Sequence, residues 1–284
     1  MNGGNPLAFR ADGKRVKNGD PMYTVVPFIM DKRYDAMNMI TVDIPIDPIH
    51  EYVTAKRKEG VKLSHLSVIT AAYVRTVHEF PLLNHFIVNK RIYKRNEFPV
   101  AMVVMRNVKD QEATMSKVKF ELDDTIFEVN DKMNAYIAAN DSTTDVNNTD
   151  KMIKFLLSVP GLLSVGVWLL KFLDKHGLLP KFIIDLSPFH AGLTITNLAS
   201  IRTNHIYHHV YEFGTTSVFF ALGQNREVAK RKGDEIVFEK CMPIGVVMDE
   251  RICSGSYFAM AFRKLKSYLK NPELLEQKPE TEEN

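Results

Sequence analysis

The sequence predicts a single α/β domain, a sandwich of helices and β-sheet, and three observations support this. Apolar residues recur at helical spacing in some segments and alternate with a period of two in others. The 284 residues suffice for a large core, and 45% hydrophobic with 25% charged residues is typical of globular proteins. The sequence contains neither an internal repeat nor an interior linker rich in Pro, Gly or Ser. One domain is therefore the simplest division.

Composition and motifs narrow the classes of function. The net charge of +3 does not favour a nucleic-acid partner. Cys241 and Cys253 are the only cysteines, and residues 1–20 lack an apolar export signal, so we expect a reducing, cytoplasmic environment. No Cys-x-x-Cys pair, His-Glu-x-x-His motif or P-loop occurs. We therefore predict neither a metal site nor a P-loop nucleotide site.

Turn and cap residues separate the elements of the N-terminal half. Residues 1–22 are polar and predict an arm, and 27–38 predict a short helical piece. Alternation of Ile40, Val42 and Ile44 predicts a strand. Pro48 predicts the first turn of a helix, and Ser64 predicts the N-terminal cap of the next helix. The predicted elements are a strand at 39–46, helices at 49–58 and 64–80, strands at 86–88, 92–94 and 100–105, and a helix at 120–139.

The C-terminal half begins with apolar helices and returns to strands. A polar loop at 141–150 precedes apolar helices at 151–176, which Gly177 caps and Pro180 stops. The last helix, at 257–269, has one apolar face. The predicted strands are 192–198, 217–223, 236–239 and 242–248. We therefore place the domain at 23–275 and expect an acidic tail at 276–284.

Residues 155–170 form an uncharged apolar run between Lys154 and Lys171. A membrane-spanning helix needs roughly 20 apolar residues, and this run is shorter and interrupted by Pro160-Gly161. We therefore favour a buried helix pair, or an apolar surface for a partner or for the membrane face, over a membrane span. Membrane contact through 155–170 is an alternative that the sequence does not favour.

Three blocks of sequence, in order, resemble one enzyme family. The first block, 66–84, ends in Glu-Phe-Pro-Leu-Leu-Asn at 79–84. The second reads Gly-Leu-Thr-Ile-Thr-Asn-Leu at 192–198 and is followed by the strand predicted at 219–223. The third, 242–255, reads Met-Pro-Ile-Gly-Val-Val-Met-Asp-Glu-Arg-Ile-Cys-Ser-Gly. Asn-Pro-Glu-Leu-Leu follows at 271–275. These blocks are similar to the catalytic domain of the 2-oxo acid dehydrogenase dihydrolipoamide acyltransferases, which is related to chloramphenicol acetyltransferase. The resemblance implies the chloramphenicol acetyltransferase-like fold.

The resemblance also implies a mechanism and an assembly. Domains of this family form trimers, and coenzyme A and the other substrate enter a channel between subunits from opposite sides. A histidine in the motif Asp-His-Arg-x-x-Asp-Gly takes the thiol proton, and a Ser or Thr hydroxyl stabilises the tetrahedral oxyanion. We therefore expect a homotrimer that uses acyl-coenzyme A together with a small-molecule or carrier-bound acyl substrate.

Transferred to this sequence, the family motif places the hydroxyl on Thr196, beside Asn197. One such donor is typically worth about 10²–10³ in rate. The alternative is a strand threonine whose hydroxyl is satisfied within the protein. We expect Thr196, Glu250 and Arg251 to be catalytic. Coenzyme A binding is assigned to the remaining motif positions, Asn197, Asp249, Ser254 and Gly255.

The segment from Asp249 to Gly255 departs from the motif at two positions, since Glu250 replaces the histidine and Ser254 the second aspartate. A carboxylate with a pKa of about 4.3 is a poorer base than an imidazole of about 6.5, by roughly 3 kcal/mol, although burial can raise it. Three hypotheses follow: Glu250 is the base, the site performs another acyl transfer or hydrolysis, or the site is inactive. In the last case Glu250 only forms an ion pair with Arg251 or a neighbouring chain.

Other residues near the motifs are weaker candidates. Cys253 can act as a nucleophile or acyl carrier, although a buried free thiol is the simpler interpretation. His205, His208 and His209 share one face of a helix, whereas on a strand His208 faces away from the other two. We favour surface or interface histidines over a replacement base. His190 is a candidate of the same grade.

The resemblance as a whole spans roughly residues 40–275, and family members carry lipoyl and subunit-binding domains that do not fit into the roughly 40 residues before it. We therefore expect a free-standing catalytic-type domain. The leading hypothesis is a coenzyme A-dependent acyltransferase with a non-standard site. The alternative is an inactive scaffold or binding protein that retains the fold.

Overall fold

The chain folds around a seven-stranded sheet and a smaller four-stranded sheet. The computed structural model describes residues 9–17, 20–107, 112–141, 158 and 161–280. The loop predicted at 141–150 therefore lies, from 142 onward, outside the described residues. So do residues 151–157 of the predicted apolar helices, residues 1–8 of the predicted arm and residues 281–284 of the predicted tail.

The strands are β1 (Phe9–Arg10), β2 (Gly13–Arg15), β3 (Met37–Pro45), β4 (His85–Val88), β5 (Arg91–Arg95), β6 (Phe98–Asn107), β7 (Glu112–Phe120), β8 (Leu193–Asn197), β9 (Val218–Leu222), β10 (Arg226–Lys232) and β11 (Glu235–Asp249). The helices are α1 (Pro21–Ile29), α2 (Asp47–Lys58), α3 (His65–Glu79), α4 (Ile126–Asp141), α5 (Leu162–His176), α6 (Lys181–Leu186) and α7 (Gly255–Lys270).

The main sheet runs in the order β10-β11-β9-β8-β6-β7, and β3 also pairs with β11. Strand β8 is parallel to both of its neighbours, whereas β9, β3 and β10 are antiparallel to β11. Strands β8 and β11 therefore run in opposite directions, and their C-terminal ends lie at opposite ends of the strands of the sheet.

Helices α2, α3, α4 and α7 cover one face of this sheet and enclose the main core. Helix α3 begins as predicted, since Ser64 Oγ accepts a hydrogen bond of 2.9 Å from the amide of Ser67. Its apolar side places Tyr73 edge-on against Phe220 of β9, with ring centroids 4.8 Å apart. The predicted sandwich of helices on a sheet is thereby confirmed.

Residues 9–17 do not form the polar arm that their composition predicted. Strands β1 and β2 belong to the small sheet, in the order β1-β2-β5-β4. Arg10 is only 6% exposed because it forms ion pairs with Asp12 at 2.9 Å and Asp174 at 2.6 Å. Pairing of this kind allows charged groups to be buried, and the second partner lies 164 positions away in sequence.

Two other features of the elements differ from the predictions. Strands β7 and β10 were not predicted, because both lie at the edges of the main sheet and carry more charge than buried strands. The two strands predicted at 236–239 and 242–248 are one strand of 15 residues, β11. For the apolar run, the structure favours the alternative of an apolar surface over a buried helix pair, since Val165 and Trp168 of α5 are 63% and 64% exposed.

The second face of β9 and β11 is crossed by the extended segment 203–213. A Cβ added at Gly245 would lie 2.1 Å from the carbonyl oxygen of Ile206, and one added at Gly223 would lie 2.4 Å from the amide nitrogen of His205. Glycine at both positions therefore lets this segment rest directly on the sheet.

We expect Gly245→Ala to lower the free energy of unfolding by about 1–3 kcal/mol, because the added methyl group overpacks a backbone contact. Gly255→Ala is the control, since its Cβ meets no atom within 4 Å; its effect should stay within about 0.5 kcal/mol. Urea denaturation measures both. Equal stability of the two variants would contradict the close contact.

Histidine 85, the first residue of β4, is buried, and its carbonyl accepts a hydrogen bond of 2.9 Å from Ser217 Oγ. Burial, together with the charges of Lys94 and Arg95, lowers the pKa of His85 to about 4. The folded protein therefore disfavours the charged imidazolium.

Because the unfolded chain takes up a proton that folded His85 rejects, stability should be fully present above about pH 6.5 and decline toward about pH 4. We expect His85→Gln to remove up to about 3 kcal/mol of this decline. The exposed His209→Gln serves as the control. Urea denaturation between these pH values tests the prediction, and an unchanged slope in His85→Gln would refute it.

Candidate functional site

The turn after β11 is built around one buried carboxylate. Asp249 is fully buried, and Arg251 binds it in a bidentate manner, with Nε 2.8 Å from Oδ1 and Nη2 2.8 Å from Oδ2. Arg33 adds a third contact, from Nε to Oδ2 at 3.3 Å. The planar guanidinium of Arg251 matches the carboxylate geometry, so this cluster fixes the turn.

Arg33 connects the turn to the rest of the protein. Its Nη1 donates to the carbonyls of Tyr211 at 2.6 Å and Gly214 at 3.1 Å, and its Nη2 donates to the carbonyl of Ile87 at 2.8 Å. Sequence analysis missed Arg33, because it lies 216 positions from Asp249 and no local pattern links the two residues.

The turn leaves Glu250 half-buried at the protein surface. Its amide donates to the carbonyl of Ala36 at 2.9 Å, and its carboxylate accepts a hydrogen bond from Asn38 Nδ2. The alternative ion pair between Glu250 and Arg251 is not formed, since Arg251 is bound to Asp249. Asn38 is a second site residue that sequence analysis missed.

The last three residues of the loop, 253–255, contribute to the core and to the start of helix α7. Ser254 caps helix α7, its Oγ accepting from the amide of Tyr257 at 3.2 Å, and Gly255 is the first residue of that helix. Cys253 is 2% exposed in the main core, and burial raises its pKa far above the ordinary value. Such a thiol is inert, in agreement with the simpler of the two interpretations.

Thr196 and Asn197 end strand β8 on opposite faces of the sheet. Thr196 is half-buried, and its Oγ1 forms no hydrogen bond with any residue that the structure describes. The alternative of a hydroxyl satisfied within the protein therefore finds no support there. Asn197 lines a cavity of about 470 Å³ that also includes His65 and Lys240.

The candidate hydroxyl and the candidate base do not meet within one protomer. Thr196 is paired with Ala221, and Ala221 with Gly245, so Glu250 lies five residues further along β11. At a rise of about 3.4 Å per residue and about 4.8 Å between strands, the two residues are roughly 20 Å apart. Thr196 and Glu250 therefore lie near opposite ends of the strands.

The histidine cluster adopts neither of the predicted arrangements, because the segment 203–213 is neither helix nor strand. The His208 ring stacks on Phe219, with centroids 4.2 Å apart. His205 Nε2 lies 3.0 Å from Thr41 Oγ1, and burial lowers the pKa of His205. Both rings thus help to hold the segment on the sheet.

His190 is 1% exposed and belongs to a buried polar network. Its Nδ1 lies 2.8 Å from Ser187 Oγ, and its Nε2 lies 3.3 Å from Asp174 Oδ1. Burial alone would raise the pKa of Asp174, but His190 and Arg10 outweigh it and lower the pKa to about 2. His190 is therefore held by buried polar contacts that support the fold.

Neither a metal site nor a membrane-spanning helix is present in residues 9–17, 20–107, 112–141, 158 and 161–280. In these ranges, no group of three or more His, Cys, Asp or Glu side chains has a geometry that can hold a metal ion. No helix within the same ranges combines the length and apolarity needed to cross a membrane.

Comparison with protein families confirms the resemblance predicted from the motifs. Residues 190–276 match the family described as 2-oxoacid dehydrogenases acyltransferase (catalytic domain). This match includes Thr196 and the whole turn that carries Glu250. None of the curated protein sequences compared with the chain matches it significantly.

Solved structures are similar over most of the chain. A probable dihydrolipoamide acetyltransferase from Listeria monocytogenes 4b F2365 has a TM-score of 0.56 at 12% identity, covering 90% of this chain and 95% of that one. A chloramphenicol acetyltransferase has a TM-score of 0.57 at 11% identity, covering 91% and 100%. The chain has the chloramphenicol acetyltransferase-like acyltransferase fold.

The acyltransferase fold is also that of dihydrolipoamide acetyltransferase from Azotobacter vinelandii, with a TM-score of 0.57 at 11% identity, covering 92% of this chain and 94% of that one. That structure was determined to investigate the roles of a serine, a histidine and an asparagine in its catalytic mechanism.

We expect Asp249→Asn to lower the free energy of unfolding by about 3–5 kcal/mol, because two buried arginines lose their counter-charge. Asp43→Asn is the matched control: Asp43 forms an ion pair of 2.9 Å with the half-exposed Arg226, and its loss should cost at most about 1 kcal/mol. Urea denaturation, which adds no ions, compares the two. A cost for Asp249→Asn no larger than that of the control would contradict the described cluster.

Proposed function

We propose that this protein is a coenzyme A-dependent acyltransferase whose active site forms between two protomers. The observation that carries this proposal is the placement of Thr196 and Glu250 near opposite ends of the strands of one sheet, roughly 20 Å apart. The acyltransferase fold and the family match over 190–276 support the same function. A channel between copies would bring the two groups to one substrate.

In the proposed reaction, the Glu250 carboxylate takes the proton from the thiol of coenzyme A or of a carrier. The resulting thiolate attacks the carbonyl carbon of an acyl thioester. Thr196 Oγ1 donates a hydrogen bond to the tetrahedral oxyanion. The bond between carbon and the original sulfur then breaks, and protonated Glu250 returns its proton to the leaving thiolate.

Arg251, which we expected to be catalytic, is assigned a positioning role instead. Its Nε and Nη2 are bound to Asp249, and its Nη1 donates to the carbonyl of Met30 at 3.1 Å. These contacts hold the turn that presents Glu250, so Arg251 acts through that residue rather than on the substrate.

Exposed apolar surfaces support an assembly of several copies. The β10–β11 hairpin exposes Ile236 by 70% and Phe238 by 69%, and helix α1 exposes Met22 by 67% and Ile29 by 75%. Exposed apolar patches of this kind mark interaction surfaces. We propose the homotrimer implied by the family resemblance, with an active site at each of its three interfaces.

The cavity beside Asn197 is the proposed binding site for part of coenzyme A. Its volume of about 470 Å³ lies in the ordinary range of small-molecule sites. Lys240 supplies a positive charge at its wall, which favours phosphate oxygens.

Replacement of an imidazole by Glu250 favours a second candidate, an inactive protein that retains the fold. Two assays separate the candidates: calorimetric titration with coenzyme A, and release of free thiol from a panel of acyl-coenzyme A donors with and without acceptor thiols. The enzyme proposal fails if the purified protein neither binds coenzyme A nor releases thiol. The double variant Glu250→His, Ser254→Asp restores the two motif residues. A gain of acyl-transfer activity in this variant would indicate that the natural site has decayed.

If the proposal is correct, Thr196→Val should lower kcat by about 10²–10³ through loss of an oxyanion donor. Glu250→Gln should lower it by about 10²–10⁴ through loss of the base. The exposed Glu227→Gln controls for removal of a surface carboxylate and should leave kcat unchanged. Steady-state thiol release measures all three variants.

Mixing the two inactive variants tests where the site lies. In trimers assembled at random from equal amounts of Thr196→Val and Glu250→Gln protomers, about a quarter of the interfaces should pair an intact hydroxyl with an intact carboxylate. Activity should therefore recover to about that fraction. Absence of recovery, with trimers shown to be mixed by mass spectrometry, would rule out a shared site.

A further inference from the structure

Helix α5 carries a stripe of exposed apolar side chains that the acyl-transfer proposal does not use. Val165, Trp168, Leu169 and Phe172 follow one another at spacings that place them on one face. Their exposed fractions are 63%, 64%, 45% and 44%. The rings of Trp168 and Phe172 stack with centroids 5.7 Å apart.

The apolar surface does not end with the helix. Leu178, just after α5, and Phe182, near the start of α6, are 57% and 65% exposed. Asp174 lies on the opposite side of α5 from the stripe by helical periodicity and is bound there by Arg10 and His190. The helix is thus anchored through its polar side, and its apolar side faces outward.

Lysines border this stripe. Lys171 and Lys175 lie one turn apart on α5, are exposed, and line a cavity of about 360 Å³ together with Lys32 and Lys90. Lys90 lies 4.0 Å from Asp31. Lys32, Lys171 and Lys175 form no ion pair with any residue in the described part of the chain.

Three acidic side chains, Asp31, Asp174 and Glu212, line the same cavity. Asp174 is bound by Arg10 at 2.6 Å, and Glu212 accepts the backbone amide of Arg33 at 2.7 Å. Because Asp174 is paired with Arg10 outside the cavity, four lysines face the carboxylates of Asp31 and Glu212. The cavity therefore keeps an excess of positive charge, which suits anionic groups.

We propose that this surface docks on an anionic membrane. The stripe on α5 inserts at the boundary between headgroups and acyl chains, and Lys171 and Lys175 contact lipid phosphates. Helices that lie in a membrane interface combine Trp, Phe and Leu on one face with lysines beside it. Lysines near a membrane surface bind preferentially to negatively charged lipids. An apolar groove of a protein partner would account for the stripe but not for the lysines beside it.

Trp168 makes the proposal directly measurable, because it is the only tryptophan in the sequence. The full chain is mixed with vesicles of phosphatidylcholine alone or with phosphatidylglycerol, and flotation is measured together with tryptophan fluorescence. We expect flotation with the anionic vesicles, a blue shift of Trp168 emission, and quenching by lipids brominated on the acyl chain.

Three variants identify the surface. Leu169→Ser with Phe172→Ser keeps the fluorescent probe and should weaken vesicle partitioning at least tenfold. Lys171→Glu with Lys175→Glu should remove the preference for phosphatidylglycerol. Leu274→Ser, after the end of α7 and 52% exposed, is the matched control and should bind as the unmodified protein does. Thermal unfolding verifies that each variant is folded.

Failure to float with either kind of vesicle would overturn the proposal, as would equal partitioning of the Leu169→Ser, Phe172→Ser variant. Light scattering tests whether a second copy of the chain covers the stripe instead. A smaller assembly for the Leu169→Ser, Phe172→Ser variant, without any change in vesicle binding, would show that it does. Acyl-transfer activity in solution is independent of all these outcomes.

Discussion

The turn at the end of β11 depends on one buried carboxylate shared by two arginines. Removing the Asp249 carboxylate from water costs several kcal/mol unless its charge is compensated. Ion pairs with Arg33 and Arg251 supply that compensation, and Asp249 is fully buried. Arg33 also donates to the carbonyls of Ile87 in the small sheet and Tyr211 in the segment 203–213. One ionic cluster thus joins the two sheets, holds that segment in place, and sets the position of the residue that follows.

The topology of the main sheet then determines what a single copy can do. Because β8 runs parallel to β9 and antiparallel to β11, its C-terminal hydroxyl lies far from the carboxylate beyond the end of β11. A transfer reaction that uses both groups requires a second copy, and the exposed apolar hairpin and first helix offer surfaces for one. The stripe on α5 is a separate surface, distinguished by the lysines beside it.

Much of the fold follows from the periodicity of the sequence, and the exceptions have physical causes. Helix α3 with its Ser64 cap and strands β8 and β9 were predicted because their apolar residues face one large core. Strands β7 and β10 escaped because solvated edge strands lack that pattern. Arg10 and Arg33 look like surface residues in the sequence, and only their distant partners explain their burial. The motifs therefore predicted the turn at Glu250, whereas the residues that fix it were not predictable locally.

The most direct test of the account is a structure of the assembled protein with a coenzyme A thioester analogue. We expect Thr196 Oγ1 of one protomer and the Glu250 carboxylate of its neighbour to lie about 6 Å apart, since each should be about 3 Å from the reacting group. A separation that remains near 20 Å in the assembly, or an assembly without a channel between these groups, would contradict the proposed shared site.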